Sequence, residues 1–269
     1  MRADGPEKEE TMAASPARGA VRPADNDTVR PADNDTVRPA DGGSVEPGAA
    51  VPAAAPLASG RTADVYALDG GRVLRRYRSG GDVRAEAEVM RHLHAAGYPV
   101  PRVHHADGPD LVLDRVDGRT LLEAIVAGEV TPRSGASVLA GLHARLHALP
   151  APRSADPAVR LLHLDLHAQN VLLTPAGPVV IDWANATEGS PALDRAVTAL
   201  IIAETAVDRS VPLRAAAAEV LSAYVAEAGP LAPMAEAVAR RTGLGPLEAA
   251  RLPEAAALVE ATARVAGAR

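Results

Sequence analysis

Cysteine and phenylalanine are absent from this 269-residue chain, and tryptophan occurs once. Without thiols there is no disulfide framework, no thiolate zinc site, no cysteine-ligated iron–sulfur cluster and no cysteine nucleophile. Any metal must therefore rest on carboxylate, amide or imidazole groups. Lysine is nearly absent too: Lys8 is the only one among 28 basic residues. That removes Schiff-base chemistry and a Walker A lysine from any folded core. No apolar run approaches the roughly 20 residues of a membrane span, and the N-terminus lacks the apolar stretch of a signal peptide. The expectation is a cytoplasmic protein with no membrane partner. A formal charge of -6 argues against a nucleic-acid partner, because phosphate backbones select clustered positive charge.

Residues 1–56 carry 10 acidic and 6 basic residues and almost no large apolar ones. Such a segment cannot bury enough surface to offset its ordering entropy, so it reads as a disordered leader. It contains a direct repeat, Val21–Thr28 and Val29–Thr36, with a partial third copy at Val37–Asp41. An eight-residue period with proline in every copy matches no solenoid or heptad. Without the leader, residues 57–269 hold 24 acidic and 22 basic residues, close to neutral.

From Leu57 the pattern becomes regular. Thr62–Leu68 and Arg72–Tyr77 read as strands joined by the hairpin-favouring Asp69-Gly70-Gly71. Asp82–Ala96 reads as a helix capped by Asp82, with Val83, Val89, Met90 and Leu93 toward one face. Leu111–Val116 reads as a short strand, and a helix follows from about Arg119. Thr131-Pro132 opens a longer helix to Leu149, with proline in its first turn. Short strands at Val171–Leu173 and Val179–Ile181 form a ribbon, and everything after Pro191 reads as helical. The class is therefore α+β: a small β-rich lobe with one helix at 57–117, then a mostly helical lobe at 118–269.

The segment richest in chemistry runs His163-Leu164-Asp165-Leu166-His167-Ala168-Gln169-Asn170, followed after a ribbon by Asp182-Trp183. A loop leading into a hairpin would bring two carboxylates and an amide together. Oxygen ligands of this kind suit Mg²⁺, which takes one or two protein carboxylates and leaves its other positions to water and phosphate. A carboxylate left unligated in the same loop could accept a hydroxyl proton, the division of labour of phosphoryl transfer.

These residues, H-x-D-x-x-x-x-N and then I-D-W, resemble the catalytic loop and metal motif of the aminoglycoside phosphotransferase family, whose fold is bilobal and protein-kinase-like. Leu142-His143 through Leu149 resembles that family's preceding helix, and Gly189-Ser190-Pro191-Ala192-Leu193-Asp194 its G-x-P-x-x-D turn. The resemblance covers residues 57 to about 206. It implies Asp165 as catalytic base, Asn170 and Asp182 as metal ligands, and Asp194 as a support of the loop. It further implies a nucleotide loop at Ser59 and Gly60, an adenine-reading linker around Asp114 and Val116, and a phosphate-gripping pair of Arg75 and Glu86. Arginine stands at position 75 where the family has lysine, a bulkier, forked cation in place of a point charge.

The expected activity is ATP- or GTP- and Mg-dependent transfer of the γ-phosphoryl group to a hydroxyl of a small molecule such as an aminoglycoside, a sugar or an amino alcohol. The alternative is a kinase-like pseudoenzyme that binds nucleotide or a partner without turnover. A different chemistry, a metal held by His163, Asp165 and His167 with help from His143 and His147, leaves Asn170, Asp182 and the N-terminal lobe without a role. Acceptor choice would lie in the C-terminal helices, where Glu204–Arg269 holds 8 acidic residues and 7 arginines, no acidic excess for a polycation.

Overall fold

The computed structural model describes residues 55–241 and 244–267, so the expected disordered leader and its repeat, apart from residues 55 and 56, lie outside the described residues. The N-terminal lobe is a five-stranded antiparallel sheet of β1 (Ala58–Ser59), β2 (Ala63–Leu68), β3 (Arg72–Tyr77), β4 (Val103–Asp107) and β5 (Asp110–Asp114), in the order β1-β2-β3-β5-β4. The Asp69-Gly70-Gly71 turn sets the β2–β3 register at Leu68↔Arg72, with both glycines at positive φ (71° and 68°). Helix α1 (Arg84–Ala95) follows β3 and buries Glu86, Ala87, Val89, Met90 and Leu93.

Several details differ from the sequence reading, which places no strand at Ala58–Ser59 or Val103–Asp107. Val83, not Asp82, holds the N-cap position of α1 and makes no side-chain cap bond; Asp82, one residue earlier, accepts the main-chain N–H of Arg84 on Oδ1 at 3.0 Å and also binds the Arg84 guanidinium. Positions 115 and 116 lie beyond β5, because the strand ends where Asp114 N–H turns to the Arg102 carbonyl at 2.9 Å.

The C-terminal lobe begins with β6 (Arg119–Thr120), two residues of strand where the sequence reading starts a helix. Helix α2 (Leu121–Val126) starts after Thr120, whose hydroxyl accepts from Glu123 N–H while Glu123 reaches back to Thr120 N–H, a capping box. Gly118 precedes them because a Cβ there would sit 2.3 Å from the Leu173 carbonyl oxygen. Thr131 caps α3 (Pro132–His147). Beyond it lie β7 (Arg160–Leu162), a 3-10 turn at Ala168–Asn170, β8 (Val171–Thr174), β9 (Gly177–Val180) and β10 (Thr187–Gly189). β10 pairs with β7, and β6-β8-β9 form a second small sheet.

The rest is helical, as the sequence reading has it: α4 (Pro191–Val207), α5 (Arg214–Glu227), α6 (Met234–Arg240) and α7 (Pro246–Gly267). Helix α4 packs against α5, α6 and α7 and buries residues all round its circumference, which makes it the centre of the lobe. One continuous apolar core joins both lobes through Tyr98, Val180 and the fully buried Trp183. Among the described residues no helix is long and apolar enough to cross a membrane.

Candidate active site

The loop after β7 is held by a buried carboxylate. Asp194, in the first turn of α4, is fully buried and accepts three hydrogen bonds: Leu164 N–H on Oδ1 at 2.7 Å, and His163 N–H and His147 Nε2 on Oδ2 at 3.0 and 2.9 Å. Burial works against its charge, yet the neighbouring His143 and His147 hold its pKa well below the usual carboxylate range. Leu164 has a φ of 60°, a region bulky L-residues avoid, so this clamp retains a strained residue immediately before Asp165. His163 braces the loop from the other side, its Nε2 3.1 Å from the Ile181 carbonyl and its Nδ1 accepting Asp165 N–H at 3.2 Å.

Asn170 completes the loop. Its Nδ2 donates to the Asp165 main-chain carbonyl at 2.9 Å, and its amide oxygen makes no hydrogen bond among the described residues. The pairing Val171↔Val180 and the bond from Ile181 N–H to the Asn170 carbonyl (3.0 Å) set Asn170 beside the chain entering Asp182. Asp182 has a φ of 66°, a second strained non-glycine residue at the same end of the ribbon.

Arg75 bridges the lobes. From β3 it donates to Glu86 Oε1 at 2.8 Å and to Asp182 Oδ1 at 2.6 Å. Glu86 is buried, not the solvated surface acid that an exposed helix face would carry, and its second oxygen accepts the Tyr77 hydroxyl at 2.7 Å. Burial raises the Glu86 pKa against the pull of Arg75. Burial also opposes the charge of Asp182, but the Arg75 guanidinium holds that carboxyl below its ordinary value. Asp165, without such a partner in hydrogen-bond reach, is shifted upward by burial, as suits a proton acceptor.

The remaining predicted residues make no hydrogen bond to this cluster. Ser59 pairs with Asp64 across β1 and β2, and Gly60 N–H closes a tight turn on the Ala63 carbonyl at 2.9 Å. Arg78 ties the carbonyls of Gly60 and Arg61 from below, both at 2.6 Å. Asp114 bonds His104 through its side chain at 2.6 Å, and Val116 N–H meets no backbone acceptor among the described residues. Two members of the site carry no motif signal in the sequence reading. Tyr77 was legible only as the residue two along the strand from Arg75 on the same face. Arg241 stands with its Nη1 3.6 Å from Asp165 Oδ1, and no local pattern points to it.

A histidine-based metal site does not form around Asp165. Among the described residues the only close group of three potential ligands is His143, His147 and Asp194, all buried. That group serves as the hydrogen-bonded hub of the loop, with His143 Nδ1 on the Tyr224 hydroxyl at 2.7 Å.

The sequence matches the phosphotransferase enzyme family over residues 53–158 and 118–233, together more than half of the chain. The chain belongs to that family. Solved structures similar to it include the amicoumacin kinase hAmiN in complex with AMP-PNP, Ca²⁺ and Ami, at 12% identity, a TM-score of 0.47 and coverage of 76% of this chain and 86% of that one. A choline/ethanolamine kinase family protein from Mesorhizobium loti matches at 17% identity and TM-score 0.47, covering 77% and 91%. The aminoglycoside phosphotransferase APH(4)-Ia matches at 16% and 0.45, covering 78% and 92%. No curated protein sequence matches the chain.

In this phosphotransferase family member burial holds the loop histidines His163 and His167, and His143 of α3, toward their neutral form. Burial lowers the pKa of His143 and His163, and takes His167 down to about 4. The unfolded chain takes up these protons near pH 6.5, so their contribution to stability is complete above that pH and is lost as pH falls toward the folded values. The free energy of unfolding should therefore drop steadily from pH 7 to pH 5, by up to about 1.4 kcal/mol per pH unit and histidine, and the midpoint should fall with it. The effect is weaker for His167, whose side chain is 20% exposed. A midpoint unchanged over that range in thermal denaturation would contradict the neutral, buried assignment.

Proposed function

We propose that this chain transfers the γ-phosphoryl group of ATP or GTP to a hydroxyl of a small molecule, with Mg²⁺. The observation that carries this reading is the convergence on one cleft of Arg75 with Glu86, Asp182, Asn170 and Asp165, drawn from a strand, a helix and a hairpin. Phosphoryl transfer needs little covalent chemistry from a protein; it needs charge placed around the phosphates and a hydroxyl held in line.

The donor set fits a hard cation: Asp182 Oδ2 and the Asn170 amide oxygen are oxygen ligands not used by the hydrogen bonds described above. Bound there, Mg²⁺ would neutralise phosphate charge. Arg75 would lie on the phosphates, with Glu86 and Tyr77 fixing its plane. The turn at Ser59 and Gly60 would cover them, and the Asp114 carbonyl and Val116 N–H would meet the base edge. Asp165 would accept the hydroxyl proton as the acceptor oxygen bonds to phosphorus. The bond from phosphorus to the bridging oxygen breaks, and its electron pair leaves with the nucleoside diphosphate.

The pseudoenzyme reading draws on one contact, the Arg75 guanidinium already seated on Asp182 Oδ1. Thermal unfolding with and without nucleotide and Mg²⁺, followed by nucleoside diphosphate release with hydroxyl acceptors, separates the two. Ligand at about 100 times its dissociation constant adds roughly 2.7 kcal/mol, which is about 5–10 °C for a domain of this size. We expect a metal-dependent shift of that order, absent in Asp182→Asn, together with turnover. A shift without turnover on any acceptor favours the pseudoenzyme, and no shift overturns both.

A further inference from the structure

Arg241 follows the last residue of α6 and turns back into the cleft. Its Nε and Nη2 donate to Oε1 and Oε2 of Glu204 at 2.8 and 3.1 Å, a two-point fork that fixes the plane of the guanidinium. The third nitrogen, Nη1, points toward Asp165 but stops 3.6 Å from Oδ1, beyond hydrogen-bond reach, and finds no acceptor among the described residues. The side chain is only 17% exposed. A mostly buried cation held rigid on one side, whose third nitrogen is ion-paired to the base but hydrogen-bonded to nothing among the described residues, is placed to take a further acceptor.

The charges around it say which partner. The acids that act on Arg241 are Glu204, Asp165 and Glu248. Glu204 is occupied by Arg241 itself, and Glu248, at the start of α7, by Arg61 from the turn after β1 at 2.9 Å. A cationic acceptor would find each of these carboxylates already facing an arginine. An anionic acceptor finds the open Nη1 edge. An oxyanion on Nη1 and a hydroxyl on Asp165, each at hydrogen-bond distance, lie at most about 9 Å apart, within one small molecule.

We propose that the acceptor is a small hydroxyl compound carrying an oxyanion, a carboxylate or a phosphate, which docks on Nη1 of Arg241 while the hydroxyl faces Asp165. The role of the hydroxyl rests on the phosphotransferase reading of this cleft; the anion contact rests on Arg241 and its neighbours. Arg241 then selects the acceptor by charge and sets the distance between its anionic end and the base.

Four compounds on one three-carbon skeleton test this with the full chain: glycerate, glycerol 3-phosphate, neutral glycerol and cationic 3-aminopropane-1,2-diol. Two readouts are taken at low ionic strength, kcat/KM from nucleoside diphosphate release and the unfolding midpoint with each compound in the presence of a non-hydrolysable nucleotide. The expected result is at least about a tenfold preference for an anion over glycerol, with the aminodiol last; the two anions against each other distinguish carboxylate from phosphate.

Arg241→Gln should collapse that ratio to within about twofold and raise the aminodiol, because Glu204 is then unpaired. Glu204→Gln, which keeps the arginine, should keep the anionic preference and guards against a folding defect in the first variant. A purely structural arginine would depress all four compounds alike. Indifference of both readouts to charge, a preference for the amine, or a ranking that survives Arg241→Gln overturns the proposal. Anions that raise the midpoint through Arg241 without any turnover would uphold the anion site and count instead against the phosphotransferase reading.

Discussion

Asp165→Asn should lower kcat by about 10²–10⁴-fold, the usual contribution of a positioned general base, while the KM for nucleotide stays within a few-fold. The substitution keeps the shape of the side chain and its place beside Asn170, and removes only the capacity to take a proton. Burial raises the Asp165 pKa, so the native carboxylate holds a proton more readily than an exposed aspartate and is the better matched to a hydroxyl. Nucleotide contacts proposed for Arg75, Asp182 and the Asp114–Val116 linker involve other atoms. Steady-state kinetics on the purified variant decide the matter: a kcat within tenfold of the native value would remove Asp165 from the proton path.

Asp194→Ala should be the most damaging substitution for stability. It leaves the main-chain N–H groups of His163 and Leu164 and the His147 ring nitrogen without their acceptor in a fully buried place. Breaking a buried charged network typically costs 3–5 kcal/mol, and at about 2–4 °C per kcal/mol the midpoint should fall by about 6–20 °C. The same change releases Leu164 from its positive φ, so the loop should relax and turnover should fall even where the variant stays folded. Thermal unfolding and activity measured below the midpoint check both halves. A midpoint within 2 °C of the native protein would mean the network carries little of the fold.

The parts of the site legible in the sequence are those that local geometry fixes. Asn170 and Asp182 stand at the two ends of one hairpin, and the Pro175-Ala176-Gly177 turn leaves little choice of register, so their meeting follows from chain order. Arg75 and Glu86 are joined by a strand, a short turn and one helix, and the buried face of that helix was visible in its apolar spacing. The two-strand sheet of β7 and β10 was not legible: each strand has three residues, too few for alternation to declare itself, and 24 residues separate them. The start of α1 differs by one residue: Asp82 does accept the first main-chain N–H of the helix, that of Arg84, but Val83 stands between it and the helix. Arg241 was invisible for another reason. Its approach to Asp165 depends on how α6 packs against α4, and no spacing within an alanine-rich stretch encodes that. The family's lysine position carries the clearest departure: the arginine there fills two carboxylates at once, which a single ammonium does with less geometric constraint.

The ion pair between Arg61 and Glu248 joins the turn after β1 to the first turn of α7, at side-chain exposures of 62% and 35%. An exposed pair of this kind contributes about 0.2–1 kcal/mol. As a latch between two lobes it therefore biases the shut over the parted cleft by only about 1.4- to 5-fold, a ratio that ordinary ionic strengths can erase.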